Sequence, residues 1–127
     1  MLLTLTDLSS EPLQSQIVRQ IRGRILGGQL EGGLSLPSIR ALATEQHVSV
    51  ITVQRAYGHL EREGLIHSRR GKGFFVSELR EHEKKDMATE RLAESIRAHI
   101  KAALSEGLRP QDVKAIVDLV LKQNGGR

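Results

Sequence analysis

The chain has 127 residues, 39% hydrophobic and 2% aromatic, with no cysteine, so it has room for one compact domain plus an appendage and must build its core from Leu, Ile, Val and Ala. This composition excludes a disulfide framework, a thiolate metal site, a platform of stacking rings for single-stranded nucleic acid and an apolar run long enough to span a membrane. Lys and Arg outnumber Asp and Glu by 19 to 15, and the excess lies mainly in residues 1–77, with nine basic and six acidic side chains against ten and nine in 78–127, which favours a polyanionic partner for the first part.

Residues 1–11 alternate Leu3 and Leu5 with Thr4 and Thr6 before the turn-forming Asp7, Ser9 and Ser10, the pattern of an extended arm. It has no basic leader and no long apolar run, so it does not read as a signal peptide, and the protein is expected to be soluble and cytoplasmic. Pro12 suits a first helical turn, and Leu13, Ile17, Val18, Ile21 and Ile25 form a stripe that ends at Gly27-Gly28. Arg19, Arg22 and Arg24 fall off that stripe and are expected on a solvated face, with phosphate contact as the lesser alternative. Gly32-Gly33 makes a loop, and Leu34 to Leu36 suit a short strand pairing with a later hairpin.

Ser38, after Pro37, caps a second helix that turns Ile39, Leu42 and Ala43 inward and Arg40 outward. Gln46-His47-Val48 then make a tight turn needing a positive φ, which His tolerates better than most side chains and less well than Gly. Ser49 caps a third helix whose core stripe is Val53, Ala56, Tyr57 and Leu60. Val50, Ile51, Thr52, Gln54 and Arg55 lie on its other faces, and a small domain cannot bury them all. A helix fits the major groove, where Gln bonds adenine through two hydrogen bonds, Arg does the same to guanine, and aliphatic groups meet the thymine methyl. Gly64 closes the helix. Leu65 and Ile66, then Phe74, Phe75 and Val76, are strand formers flanking Ser68 to Gly73, a basic tip in which Arg69, Arg70 and Lys72 supply charge and Gly71 and Gly73 allow close backbone approach to phosphate. The layout is that of a winged helix-turn-helix.

Residues 78–86 mix charges densely and read as a junction running into helix. Leu92, Ile96, Ile100 and Leu104 mark one long helix stopped by Gly107. Val113, Ile116, Val117, Val120 and Leu121 mark a second that begins at Pro110, with a poor cap in Arg109, and closes at Asn124-Gly125-Gly126. Two such helices cannot cover both apolar faces alone. The economical partner is the same pair from a second copy across a two-fold axis, with packing back onto the first domain as the alternative.

Other chemistry is poorly supported. Gly71-Lys72 is followed by Gly, so there is no P-loop, and His47, His59, His67, His82 and His99 never fall in HExxH spacing, so neither a metal nor another cofactor is expected. Ser49 has no hydrolase pattern around it, and an enzyme is the least expected reading.

The segments LPSIRALA, VSVITVQRAYGHLEREGLI and RRGKGFFV, with the lead-in PLQSQIVRQIRGRILGGQL, resemble the DNA-binding domain of GntR-type transcriptional regulators over residues 12–77, four blocks in the right order at the right distances. The resemblance implies a bacterial regulator, in most relatives a repressor, that binds a palindromic operator in double-stranded DNA as a homodimer. It implies DNA contacts at Arg40, at Ser49, Val50, Thr52 and Gln54, and in the wing at Arg70 and Gly71; Arg55, Arg69 and Lys72 join them on their position and charge. His47 stands where the family usually has Gly, Leu34 where it often has Asp, and Val50 and Gln54 where several members carry Arg, so the operator sequence does not transfer from relatives. The short helical tail is similar to that of the YtrA-like subgroup.

The expected architecture is mainly α: a winged helix-turn-helix of three helices and a small β-hairpin over 1–77, then a C-terminal α-helical hairpin over 78–127 serving dimerisation. An unknown small-molecule effector is a possible further partner. The competing readings are a winged-helix adaptor for protein partners and the DNA-binding fragment of a longer GntR-like regulator.

Overall fold

A computed structural model describes residues 1–125. In chain order the elements are α1 (Leu13–Leu26), α2 (Ile39–Gln46), α3 (Val50–Arg62), β1 (Ile66–Arg69), β2 (Gly73–Val76), α4 (Glu81–Ser105) and α5 (Pro110–Gln123). They fall into two compact units, Met1–Lys85 and Asp86 onward.

The first unit is built around α3, which packs against α1, α2 and β1. Val53, Ala56, Tyr57 and Leu60 are inaccessible to solvent, as are Ile17, Ile21 and Ile25 of α1 and Leu42 of α2. Burying each such aliphatic side chain stabilises the fold by about 1.5–3 kcal/mol relative to exposure. The caps are those the serines suggest: Ser38 Oγ accepts from Ala41 N at 3.1 Å, and Ser49 Oγ accepts from Thr52 N at 3.1 Å. The turn between α2 and α3 needs the left-handed region, and His47 supplies it at φ 57° and ψ 43°.

The N-terminal arm is tied down by glutamine side chains that periodicity does not single out. Gln20 accepts from Thr4 N at 2.9 Å and donates to Thr4 O at 2.6 Å; Gln16, buried, does the same for Thr6 at 2.9 and 2.7 Å and also donates to Glu11 O at 2.8 Å. An amide has both a donor and an acceptor, so it can mimic a neighbouring strand. The turn after the arm is stabilised by the hydroxyls of Thr6 and Ser9, which accept from Leu8 N and Glu11 N at 3.1 and 3.0 Å.

Arg22 corrects the solvated-face expectation for α1. It is 8% exposed, and its guanidinium grips Glu63, the C-cap residue of α3.

The long helix α4 starts inside the charged junction, at Glu81. Glu83 accepts from Arg80 N at 2.9 Å, and Glu81 lies 3.5 Å from Lys84, so the dense acid–base mixture supports the first turn. The start of α5 does not depend on Arg109 as a cap: the Asp112 carboxylate accepts from Arg109 N at 2.8 Å, with Pro110 in the first turn. At the other end Gly125 has φ 79°; Gly126, part of the expected stop, lies outside the described residues.

Neither α4 nor α5 buries a side chain. Leu92, Ile96, Leu104, Ile116, Val117, Val120 and Leu121 are exposed, and Ile100 and Val113 are half-buried. The two helices share an apolar groove of about 210 Å³, lined by Ile96, His99, Ile100, Ala103, Leu108, Val113, Ile116 and Val117. Among the described residues no helix is long and apolar enough to cross a membrane.

Candidate nucleic-acid interface

The outer side of α3 follows from its inner one. Because Val53, Ala56, Tyr57 and Leu60 take the core stripe, Val50, Ile51, Gln54 and Arg55 are turned out and exposed. Thr52 is half-buried, and its hydroxyl lies 2.7 Å from that of Ser49. Ser49 and Thr52 therefore spend their hydroxyls on each other and on the cap. Ile51, Gln54 and Arg55 border a groove of about 590 Å³ that also takes in Gln14 of α1, Ile39 of α2, Glu61 and Arg62 of α3 and Phe74 of the wing. Gln14, Glu61 and Arg62 were not picked out from the sequence.

The wing is shorter at its tip than the expected loop of Ser68 to Gly73. The strands pair antiparallel from Ile66↔Val76 to Arg69↔Gly73, leaving Arg70, Gly71 and Lys72 as the turn. Lys72 N donates to Arg69 O at 2.9 Å, and Gly71 and Gly73 have φ of 75° and 99°, which suits residues without a Cβ. The stretch from Leu34 to Leu36 pairs with β2 as expected, through an isolated bridge of Ser35 to Phe75 and bonds from Leu36 N to Phe74 O and from Val76 N to Leu34 O, both 2.9 Å.

Two contacts fix the wing to α3. Phe74 meets the edge of Tyr57 with ring centroids 4.9 Å apart, and Ser68 donates from N and Oγ to the Glu61 carboxylate at 3.3 and 3.0 Å. Alternation then puts His67, Phe75 and Arg69 on the opposite face. There the Arg69 guanidinium sits 4.8 Å from the Phe75 ring centroid and His67 stacks on the same ring, so Arg69 is held on the wing surface while Arg70 and Lys72 extend from the turn.

On α1 and in the tail, Arg19, Arg22, Arg97 and Arg109 lie within ion-pair distance of acids; the Glu11 carboxyl is held below its ordinary range by its hydrogen bond from Arg19. Among the described residues, Arg40 of α2, Arg55 and Arg62 of α3, and Arg70 and Lys72 of the wing have no acidic partner. Lys85 and Lys101 of α4 and Lys114 and Lys122 of α5 have none among these residues either, so it is the placing of the first five on α2, α3 and the wing that suits a phosphate backbone. Also among the described residues, no cluster of His, Asp and Glu is placed to hold a metal ion.

The family model for bacterial regulatory proteins of the gntR family matches residues 13–76, from the first residue of α1 to the last of β2. The chain belongs to the GntR family. Among curated GntR-like relatives, it is 38% identical over 95 residues to the HTH-type transcriptional regulator YhcF of Bacillus subtilis, covering 73% of this chain and 78% of that protein. It is 44% identical over 70 residues to the HTH-type transcriptional repressor YtrA of the same organism, covering 55% of this chain and 54% of the repressor, so it spans about half that relative's length. A GntR family transcriptional regulator from Listeria monocytogenes superposes with a TM-score of 0.74 at 30% identity, covering 90% of this chain and 97% of that one. The AraR DNA-binding domain in complex with operator ORE1 superposes at 0.51 with 27% identity, covering 61% and 94%. The chain is thus a DNA-binding transcriptional regulator of YtrA-like GntR type and not an enzyme, with the winged-helix fold and helical C-terminal region of its structural neighbours.

Proposed function

We propose that this GntR-family regulator is a homodimeric repressor, working in the bacterial cytoplasm, that binds a palindromic operator. Each copy would place α3 in a major groove, with Val50, Gln54 and Arg55 facing base edges and Ser49 and Thr52 holding the helix start. Arg40 and the wing residues Arg70, Gly71 and Lys72 would lie along the flanking phosphates, Arg69 joining them if it leaves Phe75. The observation that carries the dimer is the tail: it has an apolar stripe on each helix and buries no side chain of either. Leu92, Ile96, Ile100, Leu104, Val113, Ile116, Val117, Val120 and Leu121 would be covered by the same residues of a second copy, and a two-fold dimer reads a two-fold site. The repressor role is supported by YtrA, which is named a repressor, and operator binding by AraR. A small-molecule effector would bind at the seam between the two copies, because the residues lining the apolar groove between α4 and α5 are largely those the second copy covers.

Selection of bound duplexes from a randomised pool with the purified full chain tests this reading. The expected product is an inverted repeat with half-site centres one or more DNA turns apart, ~10 bp per turn. Affinity should fall steeply with salt. A single unrepeated site would overturn the two-fold dimer, and binding indifferent to salt would favour the adaptor reading.

A further inference from the structure

Two branched aliphatic side chains stand at the start of α3 with little packed over them, Val50 at 42% exposure and Ile51 at 49%. The polar groups nearest in sequence are already committed: Ser49 Oγ accepts from Thr52 N, and the Ser49 and Thr52 hydroxyls lie 2.7 Å apart. That leaves Gln54 and Arg55 as the polar side chains of the first two turns with no hydrogen-bond partner among the described residues, and Ile51 lies on their face, three and four residues before them.

Resting on the DNA-binding reading above, we infer that Ile51, flanked by Val50, reads thymine methyl groups in the major groove beside the base pair bonded by Gln54. The C5-methyl of thymine is the apolar group that a base pair presents in that groove. Three helical residues advance ~4.5 Å, against ~3.4 Å per base pair, so the methyl lies within about two base pairs of the Gln54 contact. A β-branched side chain in a helix keeps essentially one χ1 rotamer, so Ile51 offers its methyls at a fixed place and loses little freedom on contact. The groove it borders is continuous with Gln54 and Arg55, which makes duplex DNA the occupant.

The test uses the full chain and the duplex selected from the randomised pool. Each thymidine is replaced in turn by deoxyuridine, which removes the methyl and keeps the hydrogen-bonding edge. The expected result is ~4-fold weaker binding at one or two positions per half-site, the effect of losing one buried methyl. Ile51→Ala, its fold checked by thermal melting, should bind thymidine and deoxyuridine duplexes alike at one of those positions, and Ile51→Val should keep part of the difference. A deoxyuridine penalty that persists unchanged in Ile51→Ala overturns the inference, as does wild-type binding indifferent to every replacement. In both of these cases the regulator reading survives, whereas failure to bind any duplex would sink it and this inference together.

Discussion

Arg22 joins α1 to the C-terminal end of α3, and cutting that link has a calculable cost. Its Nε and Nη2 donate to Glu63 at 3.1, 2.8 and 3.0 Å, and the two side chains are 10% and 25% exposed. Removing one member of a buried pair costs ~3–5 kcal/mol because the other charge is stranded. Here the carboxylate is a quarter exposed and has His59 Nε2 at 3.8 Å, so partial rehydration brings Arg22→Met to ~2–3 kcal/mol. Glu63→Met should cost more, because it strands the more deeply buried partner. The double variant Arg22→Met/Glu63→Met, with apolar chains filling the same space, should lie within ~1 kcal/mol of wild type. Urea unfolding followed by circular dichroism measures all three, with an unchanged denaturant slope as the check on two-state behaviour. If Arg22→Met were within ~0.5 kcal/mol of wild type, or the double variant showed the sum of the single losses, the pair would not hold α3 to α1.

The chain's one tyrosine should make stability fall at alkaline pH. Burial, helped by the charge of Glu45, holds the Tyr57 phenol well above its ordinary value, so its contribution is complete below about pH 10 and declines above it by up to ~1.4 kcal/mol per pH unit. Phenolate absorbance should therefore rise together with unfolding; ionisation near pH ~10 in the folded protein would contradict this. Tyr57→Phe should lose that slope and cost ~1 kcal/mol at neutral pH, through the bond to Pro37 O at 2.8 Å. His47→Gly should stabilise the protein by ~0.5–1 kcal/mol in the same unfolding assay, because glycine occupies the left-handed region without the Cβ clash. In titrations of the selected duplex and its single-base variants, Gln54→Ala should cost ~1–3 kcal/mol at one or two base pairs only. Lys72→Ala should weaken all sequences alike and lower the salt slope by ~0.9. A uniform loss for Gln54→Ala would remove it from base reading.

The helices were legible because their signals are local. Val53, Ala56, Tyr57 and Leu60 repeat at helical spacing, the two serines sit where caps belong, and the turn at His47 is the one place between α2 and α3 where the chain can reverse. What the sequence concealed depends on distant partners. Arg22 sits beside Ile21 at the edge of the α1 stripe, but its acid is 41 residues away, with nothing nearby to announce it. Gln16 and Gln20 look like surface residues until the arm lies against them. On the wing, placing Arg69 two residues after His67, with Phe75 opposite, would have revealed the stack had the register been drawn. In the tail, periodicity located the apolar stripes, and their exposure in the structure is what makes them a surface needing cover.

The mass of the protein–duplex complex, by native mass spectrometry or light scattering on the full chain with the selected duplex, tests most directly whether two copies of α3 are presented to one DNA. Two chains per duplex at saturation is the predicted result. One chain per duplex at saturation would contradict the account.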